Sequence, residues 1–167
     1  FAREPRARET VVHIIGRGDL RASDDAARIA AEWLDATVTI RADEHTITIT
    51  RRALGATVDE TRLAGWLEQA RLSGSPMHER HAALSIDGPL AIPVPHTLDA
   101  SVFRPRLEAL KSELDTTPRD ARFDVAAGRV APEQNGRLLD VVGTLVAVQM
   151  SLARGDREIR AVIVRDT

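Results

Sequence analysis

Two similar stretches indicate the fold of this chain: GATVD at residues 55–59 and GRLLD at residues 136–140. Each begins with a glycine, has an apolar residue three positions later and ends with an aspartate; the pairs are Gly55 with Asp59 and Gly136 with Asp140. Glycine permits a positive φ or a close backbone approach, and aspartate accepts hydrogen bonds from the free N–H groups at a helix start. We interpret both pairs as structural turns followed by helix caps.

The segments around these stretches follow the same order twice. Residues 37–50 and 121–130 alternate apolar and polar side chains, which is typical of hairpins, and helical periodicity precedes each hairpin and follows each aspartate. This order predicts an α+β fold with a duplicated strand–helix–hairpin–helix unit, in which antiparallel hairpins pack against about four helices. We expect residues 1–10 to be a disordered or linker N-terminus, residues 11–80 the first unit and residues 81–167 the second. One shared sheet and two separate lobes both fit.

Three segments carry more local expectations. The Ser/Gly/Pro-rich start of residues 73–81 predicts a loop. Residues 141–153 predict a long helix whose apolar residues are buried on more than one side, as in a central helix. The almost continuously apolar residues 159–164 predict a strand in the middle of a sheet.

Composition excludes several classes of function. The chain has 167 residues, of which 43% are hydrophobic and 29% charged, as in folded domains. With 23 Lys+Arg against 25 Asp+Glu, it has no excess positive charge for nucleic acid. Cysteine is absent, which rules out disulfides, thiolate metal sites and a cysteine nucleophile. The apolar stretches are shorter than the roughly 20 residues of a membrane span. Because the chain starts at Phe1, we expect it to be a fragment of a longer protein.

Two polar groups are candidates for catalytic or metal sites. The histidines of HERH at residues 78–81 are three apart and could face one metal on a helix, but no third ligand is near in sequence, so we favour a solvated loop and no metal. Glu133 and Asp140 could form the acid and base of a glycoside hydrolase, but we favour Asp140 as a helix cap. We therefore expect no enzyme activity and no cofactor.

Each of the two tryptophans could be either a surface for stacking a sugar ring or a part of the core. Trp33 and Trp66 each lie on the apolar stripe of a predicted helix. An aromatic side chain at a stripe position is more often part of the core than of a ligand site. We favour the core for both.

The second half of the chain resembles a known family. The residues that carry the resemblance are PRDARF at 118–123, GRV at 128–130, PEQNGRLLD at 132–140 and RAVIV at 160–164. They are similar to the YoaR-like "putative peptidoglycan-binding domain" that accompanies VanW-type proteins and precedes some L,D-transpeptidase catalytic domains. The earlier stretch within residues 18–55 is similar to the region that opens this module. The cysteine motif of the transpeptidase active site has no counterpart in this chain.

The resemblance implies a non-catalytic accessory domain in the bacterial cell envelope, outside the cytoplasm. Its expected partners are peptidoglycan or its peptide stems and a neighbouring catalytic or envelope domain, with no membrane insertion in this part of the chain. From the residues, we select Glu133, Asn135 and Arg137 as candidate ligand-binding residues, because they precede a helix whose positive dipole end suits a stem carboxylate. The alternative is a protein–protein interaction or structural module of an envelope protein, without glycan affinity.

Overall fold

The computed structural model describes residues 10–72, 74–84 and 88–166. These residues form five helices and twelve short strands. The helices are α1 (Ala26–Asp35), α2 (Glu60–Arg71), α3 (Pro76–Ala83), α4 (Ala100–Leu114) and α5 (Val141–Arg154). The strands are β1 (Val12–Ile14), β2 (Gly18–Asp19), β3 (Thr37–Ala42), β4 (His45–Thr50), β5 (Ala56–Val58), β6 (Leu90–Ile92), β7 (His96–Leu98), β8 (Arg122–Asp124), β9 (Arg129–Ala131), β10 (Gly136–Leu139), β11 (Glu158–Arg160) and β12 (Ile163–Asp166).

The strands form small, mostly antiparallel sheets. Two sheets have three strands, in the orders β2-β1-β6 and β11-β3-β4, and the remaining strands pair as β5-β7, β8-β9 and β10-β12. The predicted α+β class is confirmed, with both expected hairpins, β3-β4 and β8-β9. The order helix, hairpin, strand, helix occurs in residues 26–71 and again in residues 100–154. The duplication itself stays a prediction.

Strand pairs and the core link the two halves of the chain. Strand β6 pairs in parallel with β1, and β11 pairs in parallel with β3. The buried apolar side chains form one cluster, to which α1, α2, α4 and α5 all contribute. The division into sequence units near residue 80 stays a prediction, and the structure packs both sides of it around a common core.

Three helices begin in the same way, directly after a short strand. Asp59, Asp99 and Asp140 each directly follow the last residue of a strand, with φ between −84° and −81° and ψ between 89° and 99°. Their carboxylates accept backbone N–H hydrogen bonds within the first turn: from Arg62 to Asp59 at 3.0 Å, from Ser101 to Asp99 at 3.0 Å and from Gly143 to Asp140 at 2.8 Å. A change from strand to helix at one residue leaves the first N–H groups unpaired, and the aspartate satisfies one of them.

The β5-β7 ladder joins two of these corners. The N–H of Asp59 donates to the carbonyl of Pro95 at 2.9 Å, and the N–H of Asp99 donates to the carbonyl of Gly55 at 3.0 Å. The paired Thr57 and Thr97 hydroxyls lie 2.8 Å apart at the middle of the ladder. Because the strands are antiparallel, α2 and α4 leave the ladder from opposite ends.

The two glycines of the opening pattern serve different purposes. Gly55 has a φ of +101°, and a Cβ there would lie 2.6 Å from the Asp99 carbonyl oxygen. Gly136 is outside the positive-φ region, but a Cβ there would lie 2.6 Å from Cδ of Pro118. Gly55 is therefore required by both conformation and space, and Gly136 by space alone.

The loop predicted for residues 73–81 is wrong, because helix α3 begins at Pro76. Ser75 caps this helix: its hydroxyl accepts from the N–H of His78 at 3.4 Å and donates to the carbonyl of Gln69 at 2.7 Å. Serine followed by proline is a helix-start signal as well as a turn signal, because proline fits the first helical position. Ser73 lies outside the described residues.

The central position predicted for the last helix is also wrong. Val142, Val146 and Met150 are 59%, 50% and 55% exposed, and their spacing of four places them on one face of α5. The opposite face is buried and includes Val148 and Leu152. Helix α5 is therefore a surface helix whose outer face is apolar.

The single strand predicted for residues 159–164 is divided in two. Strand β11 pairs with β3, and β12 pairs with β10 in another sheet. Between them, the N–H of Val162 donates to the hydroxyl of Thr144 at 3.0 Å, and the carbonyl of Val162 accepts from the N–H of Asp140 at 2.9 Å. The apolar run therefore crosses from one sheet to the next, and Val164 is exposed.

We expect Gly55→Ala to destabilise the protein by about 1–3 kcal/mol, because alanine is strained at a positive φ and its Cβ would meet the Asp99 carbonyl. The matched control is Gly65→Ala in α2, where nothing lies within 4 Å of an added Cβ. The control should be neutral or stabilising by up to about 1 kcal/mol. Urea unfolding of both variants checks this, and equal effects would contradict the tight β5-β7 corner.

Candidate functional site

Arg137, a predicted ligand-binding residue, lies in β10 and joins three parts of the chain. Its Nε donates to the carbonyl of Leu114 at the end of α4, at 2.8 Å. Its Nη1 donates to Asp43 at 3.1 Å, and Nη1 and Nη2 donate to the two carboxylate oxygens of Glu44 at 2.8 and 2.6 Å. Asp43, at the β3-β4 turn, has a φ of +52° and also accepts from Arg165. Arg137 therefore connects this turn to β10 and α4.

The ion pair shifts the pKa of both partners, in the direction that favours their charged forms. The bidentate hydrogen bonds from Arg137 hold the pKa of Glu44 at about 2, against an ordinary value of 4.5. The same contacts raise the pKa of Arg137 above its ordinary value. A ligand carboxylate that binds this guanidinium through two hydrogen bonds must therefore replace Glu44 or Asp43.

The other two predicted residues, Glu133 and Asn135, are exposed in the segment that leads into β10. Between them, Gln134 pairs with Arg119 through two backbone hydrogen bonds of 2.9 and 2.8 Å. This pairing fixes the backbone while the neighbouring side chains face solvent. The structure places Glu133 and Asn135 in one exposed segment. The side chain of Arg137 instead forms its hydrogen bonds with Leu114 and the β3-β4 turn.

The tryptophans have different environments. Trp33 is buried, and its predicted core position is confirmed. Trp66 packs against the core with one part of its ring but remains partly exposed, so the core prediction is only half right for it. The guanidinium of Arg62 lies 5.5 Å from the centre of the Trp66 ring, which is within the range of a cation–π contact.

The exposed part of Trp66 lines a cleft of about 520 Å³ between α2, α3 and residues 89–91, which we call the Trp66 cleft. The wall is mainly apolar; it includes Trp66, Met77, Leu84, Pro89 and Leu90. Three polar side chains also line it: Gln69, Arg80 and His81. Sites for small ligands are commonly concave, mostly apolar and supplied with a few polar groups. The loop predicted for residues 73–81 gave no reason to expect this cleft.

A second cleft, of about 860 Å³, lies on the other side of α3 and has a more polar wall that includes Asp19, Arg71 and His78. Nε2 of His78 donates to the carbonyl of Ala70 at 2.6 Å, which fixes that ring against α2. His81 lines both clefts. Within the described ranges, no group of three or more His, Asp and Glu is placed to hold a metal ion.

One comparison with known proteins gives a match. Residues 89–160 match the family model described as "putative peptidoglycan binding domain". The matched segment begins at the wall of the Trp66 cleft and continues through α4 and the β8-β9 hairpin into β11. No curated protein and no solved structure matches the chain. Among the described residues, no helix is long and apolar enough to cross a membrane.

We expect Arg137→Ala to weaken the dependence of stability on pH between about 4.5 and 2. Glu44 has a lower pKa in the folded than in the unfolded chain, so its pair with Arg137 stabilises fully above pH 4.5 and is lost as the pH falls to about 2. In the Arg137→Ala variant this stabilisation is absent at neutral pH as well, so the free energy of unfolding falls less between about pH 4.5 and 2. Urea unfolding at several pH values measures the effect.

The control is Arg52→Ala, which removes an exposed ion pair with Asp35 of 2.9 Å. It should keep the wild-type slope of unfolding free energy against pH. If Arg137→Ala keeps that slope as well, Arg137 does not hold the β3-β4 turn as described.

Proposed function

We propose that this protein is a non-catalytic, extracytoplasmic accessory domain that binds peptidoglycan in the bacterial cell envelope. The observation that carries the proposal is the match of residues 89–160 to a peptidoglycan-binding family model. The Trp66 cleft adds support, since its apolar wall and polar side chains are of the kind that hold a small ligand. The YoaR-like and VanW-type affiliation, and the positioning of an attached catalytic domain on the wall, are the finer parts of the proposal.

A non-catalytic role agrees with how the candidate acidic residues are used. Asp140 was weighed as half of an acid–base pair, and its carboxylate accepts the N–H of Gly143 at 2.8 Å as the cap of α5. The absence of cysteine removes the nucleophile on which L,D-transpeptidation depends. In this proposal, the chain supplies a binding surface and a separate domain supplies the chemistry.

Glu133, Asn135 and Arg137 remain proposed contacts for a peptide stem. The exposed side chains of Glu133 and Asn135 can hydrogen-bond to stem amides without disturbing the fold. Arg137 can form a two-hydrogen-bond contact with a stem carboxylate by exchanging its partners, because Asp43 and Glu44 already bind its guanidinium. Glu133 and Asn135 are therefore the better positions at which to test a stem contact.

A second candidate is a protein-interaction module, which is favoured by the β8-β9 hairpin. Phe123 and Val130 are paired across this hairpin and are 63% and 62% exposed, and Val125 nearby is 82% exposed. A two-stranded hairpin has little stability of its own, and exposed apolar side chains on one are typical of a surface that a partner covers. This candidate predicts binding to an envelope protein instead of to glycan.

We expect the protein to co-sediment with purified sacculi, and soluble muropeptides to compete with that binding. A cellulose suspension serves as the control polymer and should not retain the protein. Incubation of the protein with sacculi should release no soluble sugar above the level without protein, because the domain is proposed to bind only. Folded protein that stays in the supernatant with sacculi would contradict the proposal and leave the protein-interaction candidate.

A further inference from the structure

We infer that the Trp66 cleft holds the glycan strand of peptidoglycan, with the indole of Trp66 as the surface on which a sugar ring stacks. The inference rests on the proposed function and adds to it the position of the site and the part of the polymer that is bound. Two features of the cleft support it: the indole itself and the exposed polar side chains of the wall.

The indole of Trp66 is partly exposed in the cleft and is held in place by its neighbours. Trp66 packs against the core and lines the cleft, and the guanidinium of Arg62 lies 5.5 Å from the centre of its ring. These contacts hold the ring in place before any ligand arrives, and a sugar stacks on the ring surface that Arg62 leaves open. A pyranose ring has an apolar C–H face and a rim of hydroxyl groups, and the C–H face is complementary to the electron-rich face of an indole. A platform that is already ordered loses little conformational entropy on binding.

His81 lines the cleft, but its Nε2 is buried from solvent, so a ligand in the cleft does not reach that nitrogen while the side chain keeps this position. The remaining polar side chains fit a glycan that carries acidic stems. Gln69 offers an amide for hydroxyl groups, and Arg80 offers a positive charge for stem carboxylates. The apolar stretch of Pro89 and Leu90 in the wall begins the segment that matches the peptidoglycan-binding model.

The chain offers a matched pair of aromatic positions for the test. Trp66 lies in the cleft, and Phe123 lies on the β8-β9 hairpin, inside the family-matched segment but away from the residues that line the cleft. Glycan strands freed of their stems by an amidase are the probe, with binding measured by calorimetry. Thermal unfolding of each variant shows that it is folded before it is used.

We expect Trp66→Ala to weaken binding of stem-free glycan by about tenfold or more, the effect of losing about 1.4 kcal/mol of contact. Trp66→Phe should fall between Trp66→Ala and the wild type, because it restores an aromatic face of smaller area. Phe123→Ala should bind within about twofold of the wild type. Equal binding by Trp66→Ala and the wild type, or loss of binding in Phe123→Ala alone, would overturn the inference.

Binding to intact sacculi distinguishes a failure of this inference from a failure of the proposed function. If the wild type binds intact sacculi, and neither Trp66→Ala nor stem-free glycan reduces that binding, the cleft is not the site and peptidoglycan binding stands. If the folded wild type does not bind sacculi, the proposed function fails. Tight binding of soluble stem-free glycan by that same protein would still support a glycan site at Trp66.

Discussion

The structure depends most on one buried cation, Arg51. Its side chain is fully buried, its guanidinium lies 4.7 Å from the centre of the Trp33 ring, and Nη1 donates to the carbonyls of Trp33 at 3.0 Å and Gly16 at 3.1 Å. Burial lowers the pKa of Arg51, and the nearby charge of Arg157 lowers it further. Because a buried charge is costly unless its surroundings compensate, the carbonyls and the indole face must be held close to it. Arg51 thereby fixes the turn after β1, the helix α1 and the turn after β4 relative to one another.

This constraint extends to both halves of the chain. A Cβ on Gly16 would lie 2.9 Å from Nε1 of Trp33, and a Cβ on Gly155, after α5, would lie 2.6 Å from the backbone nitrogen of Gly16. The ring of His96, in β7, packs against the ring of Trp33, with the two ring centres 4.8 Å apart. The turn after β1, the end of α5 and the β5-β7 ladder therefore meet around the side chain of Trp33. The ladder in turn sets the direction of α2, which carries Trp66 to the wall of its cleft.

Local sequence patterns predicted the positions of helices and strands better than they predicted which side chains are buried and what those side chains contact. The alternation of residues 37–50 predicted the β3-β4 hairpin, and the aspartates that follow apolar residues predicted caps where the structure has Asp59 and Asp140 accepting N–H groups. Helix α3 was missed because serine and proline start helices as well as turns. The exposed face of α5, the pairing of Arg137 with Glu44 and the partial exposure of Trp66 all depend on residues distant in sequence. The only local signal for the cleft was Trp66 itself, at a stripe position that the sequence could not distinguish from core.

The most direct measurement follows the two indole N–H signals in a proton–nitrogen NMR spectrum during titration with stem-free glycan strands. The chain has two tryptophans, one buried and one in the cleft, so the buried indole serves as an internal reference. If the wall glycan occupies the cleft, the Trp66 signal shifts and saturates with added glycan while the Trp33 signal stays in place. A Trp66 signal that does not move while backbone signals of the β8-β9 hairpin do would contradict a glycan site in the cleft.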